Sequence, residues 1–129
     1  MKFLLDTNTV SYYLRGNPAT VRHVKEQKPS ELAVSTITVM ELTHGVEKRQ
    51  SKELAAVVRD FLCAIGVLPF DQEAARHAGA VRASLEKTGF VLDAVDSQIA
   101  GHALALDLIL ISSDSAFKKV RGLKLKNWS

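Results

Sequence analysis

The sequence predicts an α/β protein, a three-layer sandwich whose central parallel sheet of about five strands carries helices on both faces. Short apolar runs of strand character alternate along the chain with longer segments of helical period. Strands separated by helices pair in parallel, because a parallel pair needs a crossover connection. The 129 residues, 47% hydrophobic, suffice for one core and are not divided by a repeat, a low-complexity stretch or a Pro/Gly/Ser-rich linker. Residues 1–129 are therefore expected to form one domain.

Lys2 to Leu5 reads as a buried strand ended by Asp6-Thr7-Asn8. A helix is expected around Val21 to Gln27, stopping before Pro29 because the residue preceding proline resists helical backbone. Leu32-Ala33-Val34-Ser35 is the second strand, after which Thr36 should cap a helix running through Met40, Leu42 and Val46. Ser51 opens the next helix, with apolar positions at Leu54, Val57, Val58, Phe61 and Leu62. Val67-Leu68-Pro69-Phe70 is the third strand, and its proline points to a sheet edge. Asp71 stands at the cap of a long helix to about Lys87, ended by Gly89. Asp93 is read as the cap of another, from Ala94 to about Leu106. Leu108 to Ile111 is the most strand-like run. Ser112-Ser113-Asp114, a short helix through Phe117 and a last strand near Leu123-Lys124-Leu125 follow it.

Several function classes are excluded early. The first carboxylate, Asp6, comes too soon for a secretory signal, and no apolar stretch approaches the roughly 20 residues that span a bilayer. A cytoplasmic location without membrane contact is expected. The single cysteine, Cys63, lies in the apolar run Phe61 to Ile65, has no partner for an internal disulfide and should pack as a small hydrophobe. His23, His44, His77 and His102 lack zinc-ligand spacing, and His102 is expected to be a hydrogen-bonded helix residue. There is no glycine-rich phosphate loop and no serine or cysteine nucleophile motif. A net charge of +3 suits nucleic acid and equally suits many ordinary proteins.

The chemistry is carried by acids. Asp6 directly follows the first strand and Asp114 follows the strand ending at Ile111, so both should emerge at the sheet edge where α/β proteins bind ligands. Glu41 sits in Thr38-Val39-Met40-Glu41-Leu42, and Asp96 opens a helix dominated by Ile99, Ala100, Ala103 and Leu104. Carboxylates in such apolar sequence need a partner, and four brought together would repel one another. A hard divalent cation, Mg²⁺ or Mn²⁺, removes that conflict and can assist phosphodiester hydrolysis. Each acid also has a plainer reading: Asp6 as a helix cap or turn former, Asp114 as a helix cap, Asp96 as a first-turn acid favoured by the helix dipole, Glu41 as a surface residue. Periodicity does not show that the four meet. Thr7 and Asn8 are candidates to orient Asp6 or a bound water. Lys118, Lys119, Arg121, Lys124 and Lys126, with Lys48, Arg49 and Lys52, form either phosphate contacts or a solvated face.

Four segments together carry a family likeness: Phe3-Leu4-Leu5-Asp6-Thr7-Asn8, Ser35 to Leu42 with Gly45, Asp96 to Ala103, and Leu110 to Phe117. The ending from Val120 to Trp128 joins them. In this order, across essentially the whole chain, they resemble PIN-domain ribonucleases, specifically VapC-type toxins of toxin–antitoxin pairs. The resemblance implies a PIN-like sandwich and an acidic pocket of Asp6, Glu41, Asp96 and Asp114, with Asp6 and Asp96 the principal metal ligands. It further implies endoribonuclease activity with Mg²⁺ or Mn²⁺, homodimerisation, and inhibition by a small VapB-type antitoxin. One departure stands out. Where the family often has Thr-Asn-Asp, this chain has Ser112-Ser113-Asp114, and Ser113 is shorter than asparagine. Two rival functions are a non-catalytic RNA-binding module and another Mg²⁺-dependent phosphoryl-transfer hydrolase. Against the second, Thr7 and Asn8 follow Asp6 where a phosphoaspartyl mechanism would want another aspartate.

Overall fold

A computed structural model covers residues 1–129. Strands β1 (Phe3–Leu5), β2 (Leu32–Ser35), β3 (Gly66–Leu68), β4 (Ile109–Ile111) and β5 (Leu125–Lys126) form one sheet. The helices are α1 (Thr7–Leu14), α2 (Pro18–Lys25), α3 (Thr36–Arg49), α4 (Lys52–Ala64), α5 (Gln72–Lys87) and α6 (Ala94–Leu106). Two 3₁₀ turns, Pro29–Glu31 and Ser115–Lys119, precede β2 and follow β4. The sheet order is β3-β2-β1-β4-β5 and every pairing is parallel. The predicted parallel sandwich is what the chain forms, with β3 at an edge and ended at Leu68, so Pro69 and Phe70 lie beyond it rather than within it.

The alternation of side chains along each strand divides the interior into two cores. Leu4, Ala33 and Leu110 face Val81, Leu85, Ile99 and Ala103 of α5 and α6. Phe3, Leu5, Val34 and Ile111 face the other way, onto Val10, Val24, Leu42, Val58 and Phe61 of α1 to α4, with Trp128. No helix is long and apolar enough to cross a membrane.

Several local expectations are corrected. The helix α1 was not foreseen, because Thr7, Thr9, Val10, Tyr12 and Tyr13 are weak helix formers. It is held by the Asp6 cap and by burial of Thr9 and Val10. Helix α2 begins at Pro18, not Val21, with Asn17 as its cap and proline in the first turn, where its missing N–H is harmless. Ser35, not Thr36, caps α3, accepting from Ile37 N at 3.1 Å. The Thr36 hydroxyl accepts instead from Phe70 N at 3.0 Å, tying α3 to the chain leaving β3. The last strand lies at Leu125–Lys126 because Gly122, with φ of +81°, turns the chain first. Cys63 is exposed and does not pack in the core. It falls opposite the α4 stripe of Leu54, Val58 and Phe61, and Val57 sits at the rim of that stripe, 45% exposed.

Candidate active site

The strand order reverses direction at β1. The chain runs β1 to β2 to β3 outward on one side, then crosses back to place β4 on the other side of β1. A crevice opens at such a switch point beyond the carboxyl ends of the strands. Asp6 directly follows β1 there.

Asp6 is only 6% exposed. Its Oδ1 accepts from Thr9 N at 2.8 Å, its backbone N–H donates to the Ile111 carbonyl at 3.1 Å, and the Thr9 hydroxyl donates to that same carbonyl at 3.0 Å. The carboxylate is thus pinned across the β1–β4 crevice while its Oδ2 makes no hydrogen bond. The one sealed side-chain polar atom without a partner in the chain is His102 Nε2, so Asp6 Oδ2 is open to solvent. Asp114, at the start of the second 3₁₀ turn, accepts from Ala116 N at 2.9 Å, and its own N–H donates to the buried Ser112 hydroxyl at 3.0 Å. Both acids serve as caps, as their plainer readings held. Capping uses one carboxylate oxygen in each and leaves the other available.

Glu41 lies in the second turn of α3, and the Thr7 hydroxyl donates to its Oε1. With its single proton so engaged, Thr7 accepts in turn from the buried Thr38 hydroxyl, 3.1 Å away. Thr7 therefore orients Glu41 rather than Asp6. Asn8 is exposed and makes no side-chain hydrogen bond within the chain, so it does not orient Asp6. Asp93 caps α6 by accepting from Val95 N at 2.9 Å, and Asp96 occupies the following turn without a hydrogen bond of its own.

Electrostatics connect the four. The Asp96 carboxyl is pushed up from its ordinary 3.8 to about 6, first by burial and then by the charges of Asp93, Asp114, Asp6 and Glu41. No lysine, arginine or histidine forms an ion pair with Asp6, Glu41, Asp96 or Asp114. The four acids thus repel one another through Asp96, and none of them is ion-paired. No three of the carboxylates are gathered into a ready-made metal cage. That openness fits Mg²⁺, which keeps several waters and takes only one or two carboxylates directly.

Thr9 and Thr38 support the site and were not singled out from the sequence, while Ser112 was named only as part of the departure from the family pattern. For Thr9 a signal existed, since an Asp cap is satisfied by the N–H three residues on. Nothing local marked Thr38, whereas Ser112, part of the Ser112-Ser113-Asp114 departure, accepts from an N–H only two residues on. His102 makes one bond, from Nδ1 to Ser35 Oγ at 2.9 Å, and burial lowers its pKa against the opposing pull of Asp71. The Asp6 cap makes a stability prediction. Asp6→Ala should lose about 1 kcal/mol in urea unfolding, whereas Asp6→Asn, which keeps an acceptor, should lose a few tenths at most.

Residues 3–123 match the PIN domain family. The chain is 37% identical to the tRNA(fMet)-specific endonuclease VapC of Shigella flexneri, over 100% of this chain and 99% of that protein. It is 36% identical to ribonuclease VapC2 of Haemophilus influenzae, over 99% and 98%. Its fold superposes on DNA-bound VapBC from Salmonella typhimurium with a TM-score of 0.92 at 34% identity, covering 100% and 99% of the two chains. VapBC2 from Rickettsia felis, bound to a promoter DNA fragment, gives 0.90 at 27% identity over the full length of both. The acidic crevice sits on a scaffold these proteins share from end to end, and the chain belongs to the PIN-domain family, in its VapC branch.

Proposed function

We propose that this protein is a divalent-metal-dependent endoribonuclease toxin, working in the cytoplasm as a homodimer and neutralised by a VapB-type antitoxin. The observation that carries the reading is the uncompensated negative charge around Asp96 at the switch point of the sheet. The full-length likeness to VapC ribonucleases, and to VapC chains in VapBC complexes, supports the substrate and the partner.

Asp6 and Asp96 are assigned as the principal ligands of Mg²⁺ or Mn²⁺, with Asp114 and Glu41 completing the pocket directly or through water. When bound, the metal supplies Lewis-acid polarisation of a phosphoryl oxygen and a water of lowered pKa. The chain's own contribution is placement. The Thr9 N–H fixes the Asp6 carboxylate, and the Thr7–Thr38 pair fixes Glu41, so neither has to reorganise as charge develops on the phosphate. Thr7→Val should lower the cleavage rate about 10- to 100-fold, the usual loss when a group orienting a metal ligand is removed. Its fold should survive, since Thr7 is only half-buried.

The relatives named tRNA(fMet)-specific endonuclease make initiator tRNA the first substrate to try. The test is to sequence RNA ends after brief expression of the protein beside an Asp6→Asn control. New ends confined to a small set of RNAs, absent with Asp6→Asn, are expected. Identical ends in both samples would refute the assignment. RNA binding without turnover would favour the non-catalytic reading, and release of phosphate from small phosphomonoesters the phosphatase one. Solution mass measures the dimer directly.

A further inference from the structure

The five basic residues near the C-terminus are not equivalent. Lys124 is engaged by Asp107 at 3.0 Å, and Lys119 lies over the Phe90 ring at 5.1 Å from its centroid. Lys118 and Lys126 form no ion pair, and the Lys126 ammonium lies at a longer 6.0 Å from the Phe3 ring centroid. They flank a cleft of about 160 Å³ at the carboxyl ends of β4 and β5, whose single apolar lining residue is Leu125. Ser113 and Ser115 line the same cleft, and their hydroxyls make no hydrogen bond in the chain. Asn127 has its Oδ1 occupied by Ser129 and its amide NH₂ unused. Asp114 lines the cleft as well.

A cleft lined by two lysines outside any ion pair and by several neutral hydrogen-bonding side chains suits a phosphate oxygen. Its place fixes which one. The backbone N–H of Ser112 donates to the Lys126 carbonyl at 2.9 Å, so β5 holds the lysine beside the Asp114 turn. We infer that this cleft, between the Asp114 turn and β5, is a subsite for a phosphodiester group of the RNA that flanks the scissile bond, held chiefly by Lys118 and Lys126. The inference rests on the nuclease reading above. It separates affinity from chemistry: the acids act at the scissile phosphate, and this cleft holds the strand one or more nucleotides away.

The experiment measures binding of a fluorescein-labelled tRNA transcript to full-length Asp6→Asn protein at fixed Mg²⁺ over a range of KCl. Lys118→Gln/Lys126→Gln is compared with the charge-matched Lys119→Gln/Lys124→Gln. Releasing one phosphate contact should flatten the slope of log K against log salt by about 0.7 to 0.9, a five- to eightfold loss near 0.1 M. In otherwise intact enzyme the cleft pair should raise KM by a similar factor and leave kcat unchanged. The control pair should do neither. Equal losses from both pairs, or none from the cleft pair, overturn the subsite while leaving the nuclease reading intact. Displacement of the RNA by millimolar inorganic phosphate at constant ionic strength also overturns it, because the cleft would then serve the free ion. If intact protein cleaves no RNA and Asp6→Asn protein binds none, the nuclease reading fails and the subsite with it.

Discussion

Asp96→Asn is expected to abolish useful cleavage, by at least about 100-fold, and at the same time to stabilise the metal-free protein. The two effects have one cause. Burial and four neighbouring acids hold the Asp96 carboxyl near 6 in the folded chain, against 3.8 ordinarily. Below pH 4 it is protonated whether the chain is folded or not, and costs nothing. Between about 4 and 6 the unfolded chain ionises while the folded one keeps its proton, so stability falls as pH rises through that window and stays reduced above it. The gap corresponds to roughly 3 kcal/mol at 1.36 kcal/mol per pH unit. Asp96 is only half-buried, and solvent screening reduces this to about 1 kcal/mol. Metal-free Asp96→Asn should therefore melt about 4 °C above the parent at pH 7.5, and together with it at pH 4. Saturating Mg²⁺ should raise the parent's melting temperature and barely move the variant's. Thermal unfolding with and without chelator checks all three.

Gly101→Ala should be the most damaging single methyl in the chain. A Cβ there would stand 2.3 Å from Ala78 N and 2.4 Å from Ala78 Cα. Those are backbone atoms of α5, which no rotamer change can move aside. Alanine's better helix propensity returns about 1 kcal/mol, but overpacking of this kind costs about 3 kcal/mol or more. The net expectation is a loss of about 2 kcal/mol and a melting temperature some 8 °C lower. Cleavage should fall too, because α6 also carries Asp96 and must shift away from α5. Ala78→Gly should not rescue the variant, since the clash is with backbone rather than with the Ala78 methyl alone. A Gly101→Ala protein melting within 2 °C of the parent would show that the helices are not so close.

Much of this architecture was legible in the residues. Apolar runs separated by helical segments identified all five strands and the parallel sheet, because the buried period of a strand is written locally. The caps Ser51, Asp71 and Asp93 were legible for the same reason: each needs only its own side chain and an N–H two or three residues on. Helix α1 was not legible, since its β-branched and aromatic residues contradict it and tertiary burial decides. Nor was the Ser35 cap distinguishable from Thr36, whose hydroxyl is claimed by Phe70, a residue 34 positions away. The site divides along the same line. Asp6 and Asp114 could be assigned to one sheet edge from strand order. Glu41 and Asp96 came to it only through the family resemblance, because their approach depends on how α3 and α6 pack. Thr38 and the cleft beside Lys126 depend wholly on the folded arrangement.

The central claim is that the acids around Asp96 form one metal site for cutting RNA. Its most direct test is the rate of cleavage of initiator tRNA against Mg²⁺ concentration, for the parent, Asp6→Asn and Asp96→Asn. Saturable Mg²⁺ activation in the parent, abolished by chelator and reduced at least 100-fold in both variants, is the predicted result. Cleavage that persists in chelator, or that either variant retains, would contradict it.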